Sequence, residues 1–197
     1  MPRLVDHEAK RREILEATWR LMATEGADAA TMREIARAAG YANGALAHYF
    51  ANKDALVEAA YGYVFDRTND RIREATAGLR GLAALRAFLV EVLPTTETTR
   101  LEARIVLPFW SRTVADPRFA GLNDRAMQSW RGRLGDLLRQ AREDGEVGSA
   151  PPDDVVVEQL LAMAMGLQVL ALLPDAPSSP ELQLALLDAA LDGLRAA

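Results

Sequence analysis

Apolar side chains recur at intervals of three and four residues along most of the chain, which is the spacing of one face of an α-helix. The first such stretch, over residues 8–25, holds Ile14, Leu15, Trp19, Leu21 and Met22. Gly26 is expected to end this helix, and Asn52 is expected to cap a long helix further on. Five more helices are predicted over residues 82–93, 97–115, 117–143, 152–173 and 180–195. No strand-like alternation stands out, so the pattern predicts an all-α fold.

Between residues 31 and 50 the pattern predicts two short helices separated by a turn. Thr31 suits an N-cap and Glu34 stands three residues later, the spacing of a capping box, so the first helix is expected over residues 32–39. Gly40 should break this helix, because glycine accepts the positive φ that turns often need. The second helix is expected from about residue 43 to residue 50.

This pair of short helices has the spacing of a helix-turn-helix. A small residue, Ala36, stands where the two helices would cross, and Leu46 and Phe50 lie four residues apart as anchors for the second helix. The other face of residues 42–48 would then be free to enter a major groove of DNA. On spacing alone, an ordinary helical hairpin with a glycine turn fits equally well.

Charge divides the 197 residues into two parts. The net charge is -5, but residues 1–50 hold seven Lys/Arg and seven Asp/Glu, so all of the excess acid lies in residues 51–197.

The chain has no Cys, which excludes disulfides and thiol-ligated metals and fits a reducing cytoplasm. Residues 1–12 lack an apolar leader, and the most apolar run, residues 159–173, is shorter than the ~20 residues of a membrane span. We therefore expect a cytoplasmic protein with no membrane contact.

Residues 31–56 resemble the signature of the TetR family of repressors, which reads Thr-x-x-x-Ile-Ala, x-Ala-Gly, Gly-x-Leu-x-x-Tyr-Phe and x-x-Lys-x-x-Leu. The matching residues are Thr31, Ile35, Ala36, Ala39, Gly40, Gly44, Leu46, Tyr49, Phe50, Lys53 and Leu56. This resemblance covers roughly the first 57 residues. It implies a helix-turn-helix DNA-binding domain at residues 1–52 and a ligand-binding and dimerisation domain at residues 53–197, with about nine helices. The implied function is that of a homodimeric transcriptional regulator, a repressor released from double-stranded operator DNA by a small-molecule effector.

The resemblance also implies which residues of the head contact DNA. Thr31 would contact a phosphate through its hydroxyl and backbone N–H, and Arg33 would reach a base edge, for which guanine is the natural partner. Tyr49 and Lys53 would contact phosphates on the other flank. The cations that would approach the backbone or the minor groove are Lys10, Arg11 and Arg12. The alternative for these three is a solvated face.

The groove-facing residues depart from the family pattern. Those expected to face the groove are Ala42, Asn43, Ala45 and His48, the last of which could instead be partly core. Ala42 stands where the family often has Ser or Thr, and Ala47 stands where it often has Tyr. Tyr41 replaces a Val that is common in the family. Asn43 would then be the main hydrogen-bonding side chain, and the alanines would touch thymine methyl groups.

An effector site is expected near a proline within the predicted 97–115 helix. Pro108 cannot donate to the carbonyl of Arg104, so a kink is expected there. The apolar and aromatic residues proposed to line the site are Phe109, Trp110, Met127 and Trp130. The Phe-Trp pair followed by Asp-Pro at residues 116–117 resembles BetI-type regulators, which answer to choline, and implies an aromatic cage for a quaternary ammonium. The alternative is that both tryptophans are core or interface residues.

The two C-terminal helices carry a signal for dimerisation. The helix at residues 155–173 is apolar almost all round, whereas a surface helix of a monomer would show a polar stripe. The residues expected at the interface are Leu160, Met163, Leu167, Leu170, Leu184, Leu187 and Leu191. Two helices per chain would form a four-helix bundle about a two-fold axis. The alternative is burial within one chain.

Two other classes of function fit less well. An enzyme is not expected, because no Gly-x-Ser-x-Gly, Walker loop, His-Glu-x-x-His or dinucleotide motif occurs and the only histidines are His7 and His48. No cofactor is expected either. A helical adaptor or small-molecule-binding protein acting through protein partners would explain the acidic body, but it leaves residues 31–53 unexplained.

Overall fold

The computed structural model describes residues 2–26, 30–42 and 44–195. Over these ranges the chain forms eight α-helices and two short 3₁₀ helices, and its one β-bridge is an isolated pair, Val147 with Arg195. The α-helices are α1 Pro2–Glu25, α2 Met32–Ala38, α3 Lys53–Ala75, α4 Gly81–Val92, α5 Glu97–Ala115, α6 Ala120–Glu143, α7 Asp153–Leu170 and α8 Pro180–Asp192. The 3₁₀ helices are Ala45–His48 and Pro117–Phe119. The predicted all-α fold is confirmed.

The third helix of the head differs from the expected α-helix. It is a 3₁₀ helix of four residues, Ala45–His48. Gly44, directly before it, has a φ of 94°, in the left-handed region, so an α-helix cannot run through this position. Asn43, where the helix was expected to begin, lies outside the described residues. The eight α-helices of the described ranges come close to the expected count of about nine.

The helix ends follow the local sequence signals. Gly26 has a φ of 91° and its N–H donates to the carbonyl of Met22, which ends α1. Thr31 and Glu34 form the predicted capping box at the start of α2. Asn52 caps α3, since its side-chain Oδ1 accepts the N–H of Ala55 at 2.8 Å.

The chain forms two compact units, each with its own core. The first unit comprises residues 1–66 and 104–122, and the second comprises residues 67–103 and 123–197. Fully buried side chains of the first core include Ile14, Met22, Ile35, Leu46, Leu56, Ile105 and Phe109. Because the first half of α3 and the second half of α5 supply this core, the first unit extends beyond the domain boundary predicted between residues 52 and 53.

The core of the second unit takes up four leucines that the sequence analysis assigned to a dimer interface. Their side chains are almost completely buried in a single chain: Leu160, Leu167, Leu187 and Leu191. A side chain with so little accessible surface has almost none left to bury against a partner, so for these four the structure favours the alternative weighed from the sequence, burial within one chain. The exposed large apolar residues of α7 and α8 are instead Val155, Leu170, Leu182 and Leu186.

None of the helices in the described ranges has both the length and the apolar character needed to cross a membrane.

Candidate nucleic-acid interface and effector site

The N-terminus of α2 presents Thr31 and Arg33 at the surface. Both side chains are exposed. The Glu34 carboxylate accepts the Thr31 hydroxyl at 2.6 Å and the Thr31 backbone N–H at 3.1 Å. These hydrogen bonds lower the pKa of Glu34 below its usual range, so its carboxylate is ionised at neutral pH. The two donors that the sequence analysis assigned to a phosphate are therefore held by a carboxylate of the same helix.

Glycines and buried anchors fix the turn and the 3₁₀ helix that follow α2. Gly40 has a φ of 75°, and the next N–H, that of Tyr41, donates to the carbonyl of Ala36 at 2.8 Å. Leu46 and Phe50 are buried, as predicted, and anchor the segment to the first core.

Of the residues predicted to face the groove, most are described and accessible. Ala42 and His48 are exposed and Ala45 is half-buried, while Asn43 lies outside the described residues. The exposure of His48 argues against the alternative that this side chain is partly core. The described part of this segment thus keeps its anchors inside and leaves small side chains and a histidine at the surface.

The Tyr49 ring is half-buried and has two aromatic neighbours from other parts of the head. The His7 ring of α1 lies with its centroid 4.8 Å away at an interplanar angle of 31°. The Tyr41 ring lies 6.1 Å away in an edge arrangement, and its hydroxyl donates to the Glu13 carboxylate at 3.3 Å. Sequence reasoning missed this cluster because His7 is far from Tyr49 along the chain. The replacement of a common Val by Tyr41 was the one available signal.

The predicted cations of the head are accessible to different degrees. Lys10, Arg11 and Lys53 are half-buried, and Arg12 is exposed. The Arg11 guanidinium lies 5.0 Å from the centroid of the Phe50 ring, within the range of a cation–π contact. The guanidinium itself therefore packs against a buried ring of the first core.

The four residues predicted to line an effector site belong to two different units. In the first unit, Phe109 is fully buried and its ring stacks on that of Tyr61 at 3.8 Å, and Trp110 is half-buried. Burial raises the pKa of Tyr61 to about 12, and the neighbouring Trp110 opposes this shift. Phe109 thus presents no accessible surface to a ligand in this conformation.

In the second unit, the other two predicted residues are buried among their own neighbours. Met127 and Trp130 are buried, and the Trp130 indole N–H donates to Asn69 Oδ1 at 3.0 Å. The Trp130 ring also packs edge-on against Phe88, with centroids 5.7 Å apart. These contacts favour the alternative weighed from the sequence, in which Trp130 is a core aromatic.

A charged cluster in the second unit is internally paired. The Arg71 guanidinium donates to both oxygens of Glu102, at 2.9 and 2.7 Å, and its Nε donates to Glu91 at 3.1 Å. Glu102 is buried, so this bidentate pair satisfies a carboxylate that would otherwise be costly to bury. Among the described side chains, no three His, Asp or Glu residues lie together as a metal ion would require.

Comparison with known proteins assigns both parts of the chain. Residues 81–196 match the family described as "BetI-type transcriptional repressor, C-terminal", and residues 14–60 match "Bacterial regulatory proteins, tetR family". The HTH-type transcriptional regulator PksA of Bacillus subtilis is 33% identical over 181 residues, which cover 88% of this chain and 83% of that protein. The regulator BetI of Pectobacterium carotovorum is 28% identical over 135 residues, covering 66% of this chain and 69% of that protein.

Solved structures share the fold. A transcriptional regulator from Rhodococcus sp. Rha1 is 26% identical with a TM-score of 0.82, covering 93% of this chain and 95% of that one. A regulator from Saccharomonospora viridis in complex with choline is 21% identical with a TM-score of 0.89, covering 96% and 100%. Both matched families consist of regulators and not of enzymes, as the sequence analysis predicted. The chain therefore belongs to the TetR family of DNA-binding transcriptional regulators, with an N-terminal helix-turn-helix and a C-terminal domain of the BetI type.

Proposed function

We propose that this regulator binds operator DNA as a homodimer and that a small-molecule effector, bound in the helical body, releases it. The observation that carries the DNA-binding part of the proposal is which side chains after Thr31 are buried and which are exposed. Leu46 and Phe50 are buried as anchors, whereas Arg33, Ala42 and His48 are exposed and serve no core. An exposed set of this kind, held by buried anchors, is what insertion into a major groove needs.

The proposed contacts fall into two groups: those that position the head on the DNA backbone and those that recognise bases. Arg33 reads a base edge, and a bidentate contact to guanine suits its guanidinium. The residues proposed to contact phosphates are Thr31, Tyr49, Lys53, Lys10 and Arg11. Those proposed to face the groove are Ala42, Asn43, Ala45 and His48. Since the head is not strongly basic, affinity must come from two heads acting together on one operator.

The proposed dimer interface uses the outer faces of α7 and α8. Exposed residues of α7 at spacings of three and four are Val155, Gln159, Ala162, Gly166 and Leu170. Those of α8 are Leu182, Ala185, Leu186 and Ala189. These positions carry no charge, and the small ones allow helices to approach closely, which suits a four-helix bundle with two-fold symmetry. Of the residues predicted from the sequence, Leu170 stays in this proposal, and the half-buried Met163 and Leu184 lie on the same helices.

The proposed effector is an apolar or cationic small molecule. The relative crystallised with choline has this fold, and the residues proposed to respond here are Phe109, Trp110, Met127 and Trp130. Because Phe109 is fully buried and stacks on Tyr61, a ligand that contacts it must favour a packing different from the present one. Such a preference between two packings is what allows a ligand to change DNA affinity.

The test begins with selection of bound duplexes from a random pool by the full-length protein. We expect enrichment of an inverted repeat whose half-sites lie about 10–10.5 base pairs apart, or a multiple of it, centre to centre. Affinity for the selected duplex is then measured with choline-like cations and with neutral lipophilic compounds. An effector should weaken binding roughly a hundredfold, which needs ~2.7 kcal/mol of differential binding. If no sequence is enriched and DNA retention does not depend on salt, the proposal is wrong.

A further inference from the structure

The surroundings of Tyr49 are more elaborate than anchoring the 3₁₀ helix requires. Leu46 and Phe50 already fix this segment in the core. Tyr49 nevertheless contacts two further rings, those of His7 and Tyr41, although His7 is exposed and Tyr41 only half-buried. Tyr41 and Tyr49 also pack against the first core. The contact with the exposed His7 buries little further apolar area, so its main effect is to restrict where the Tyr49 side chain can point.

A hydrogen bond fixes the Tyr41 ring in turn. Its hydroxyl donates to the Glu13 carboxylate of α1 at 3.3 Å. Burial, and after it the negative charge of Glu13, raise the pKa of Tyr41, so the hydroxyl stays protonated and remains a donor at neutral pH. The chain Glu13–Tyr41–Tyr49–His7 therefore ties Tyr41, four residues before the start of the 3₁₀ helix, and Tyr49, directly after its end, to two positions of α1.

We propose that Tyr41 and His7 are positioning residues that hold the Tyr49 phenol toward the DNA backbone, and that Glu13 holds Tyr41 in place. The inference rests on the proposed phosphate contact of Tyr49. A free tyrosine at the surface samples about three χ1 rotamers, so holding one of them should improve binding roughly threefold per half-site. For a dimer with two half-sites, the gain is roughly tenfold.

The experiment compares full-length variants on the duplex that the selection enriches. Tyr49→Phe should weaken binding by removing the hydroxyl that contacts the phosphate. Tyr41→Val and His7→Ala should weaken binding up to roughly tenfold, and Tyr41→Phe should have a smaller effect because it keeps the ring and loses only the bond to Glu13. In the Tyr49→Phe background, Tyr41→Val should cost nothing further. A merely structural role of Tyr41 would instead lower affinity equally in both backgrounds.

The chain offers a matched control. The Tyr63 hydroxyl donates to the Glu16 carboxylate of α1 at 3.2 Å, the same kind of bond one helical turn along. Tyr63→Phe should leave DNA affinity unchanged, whereas Tyr41→Phe should lower it. Unfolding midpoints measured for every variant identify any that lose affinity through loss of fold, and Tyr41→Phe, the mildest change, then serves as the test.

Salt dependence separates positioning of Tyr49 from displacement of the nearby Lys10. Tyrosine is neutral, so loss of its contact should leave the slope of log K against log salt unchanged. Loss of a lysine contact instead reduces the magnitude of the slope by about 0.9 per contact, or roughly 1.8 for a dimer with two half-sites. A reduced slope for Tyr41→Val overturns the inference. If Tyr49→Phe weakens binding and Tyr41→Val does not, the phosphate contact of Tyr49 stands and only the positioning role of Tyr41 is ruled out. If Tyr49→Phe has no effect, Tyr49 makes no phosphate contact, and the positioning roles that depend on this contact are ruled out with it.

Discussion

Glu34 accepts hydrogen bonds from both the hydroxyl and the backbone N–H of Thr31, at 2.6 and 3.1 Å. A phosphate at this helix end needs the same two donors, and it would meet an ionised carboxylate beside them. Glu34→Gln should therefore raise affinity for duplex DNA, roughly two- to fivefold at low salt and less at high salt, because it removes the repulsion. Glutamine also suits this position of a capping box, so α2 should keep its start. Binding to a labelled duplex at several salt concentrations measures the effect.

Removal of any acidic residue from the head could raise DNA affinity through net charge alone. Glu25→Gln is the matched control, since Glu25 is an exposed acid at the end of α1 and has no part in the capping box. Equal gains from Glu34→Gln and Glu25→Gln would show that Glu34 has no particular relation to the phosphate contact of Thr31.

Arg33 and Lys53 should differ in what their loss does to DNA recognition. If Arg33 reads a base, Arg33→Ala should cost ~1–3 kcal/mol on the selected duplex and relax the preference at one base position per half-site. Lys53→Ala should weaken binding to all sequences alike and lower the salt slope, since its contact is with phosphate. Titrations of selected and random duplexes distinguish the two. Identical behaviour on both duplexes would contradict this division of roles.

Much of the helical architecture could be predicted because its signals are local. The capping box of Thr31 and Glu34 and the turn glycine Gly40 lie within a few residues of the structure that they specify. The 3₁₀ form of the third helix depends on one residue, Gly44, whose left-handed φ is not fixed by its identity. Glycine permits that conformation without requiring it.

The points that the sequence left undecided depend on contacts that are distant in sequence. In α7 the apolar residues run nearly all round the helix, so periodicity could not distinguish Leu167, which is buried in its own unit, from Leu170, which is exposed. In the same way, the sequence could not show that Phe109 stacks on Tyr61 of another helix. Three-dimensional packing decides which apolar face is interior, and that information is not present in spacing.

The revised dimer face makes a prediction that the original one does not. Leu170→Glu and Leu186→Glu place charges on exposed positions, so each variant should remain helical while the dimer dissociates. Leu187→Ala is the contrasting variant, because this side chain is fully buried and its truncation should cost about 2–5 kcal/mol of folding stability. Sedimentation and circular dichroism report the two effects separately. A wild-type protein that sediments as a monomer at micromolar concentration would rule out the interface.

Tyr61 should make the folded protein sensitive to alkaline pH. Its pKa is raised to about 12 in the folded chain, chiefly by burial, against about 10 for an exposed tyrosine. Between these values the unfolded chain loses the phenolic proton and the folded chain keeps it, so the free energy of unfolding falls as pH rises. The loss from this residue should be negligible at pH 8, about 1.4 kcal/mol at pH 11, and close to 2.7 kcal/mol above pH 12.

Tyr61→Phe isolates this contribution, because phenylalanine keeps the ring that stacks on Phe109 and has no proton to lose. Any other group that titrates in this range does so in both proteins, so its effect cancels in the comparison. Urea unfolding at pH 8 and at pH 11, at one fixed protein concentration, gives four free energies of unfolding. The free energy of unfolding of Tyr61→Phe minus that of wild type should be about 1.4 kcal/mol larger at pH 11 than at pH 8. A difference that stays constant would mean that the Tyr61 hydroxyl ionises as readily in the folded chain as in water, and that the stacked pair with Phe109 is open to solvent.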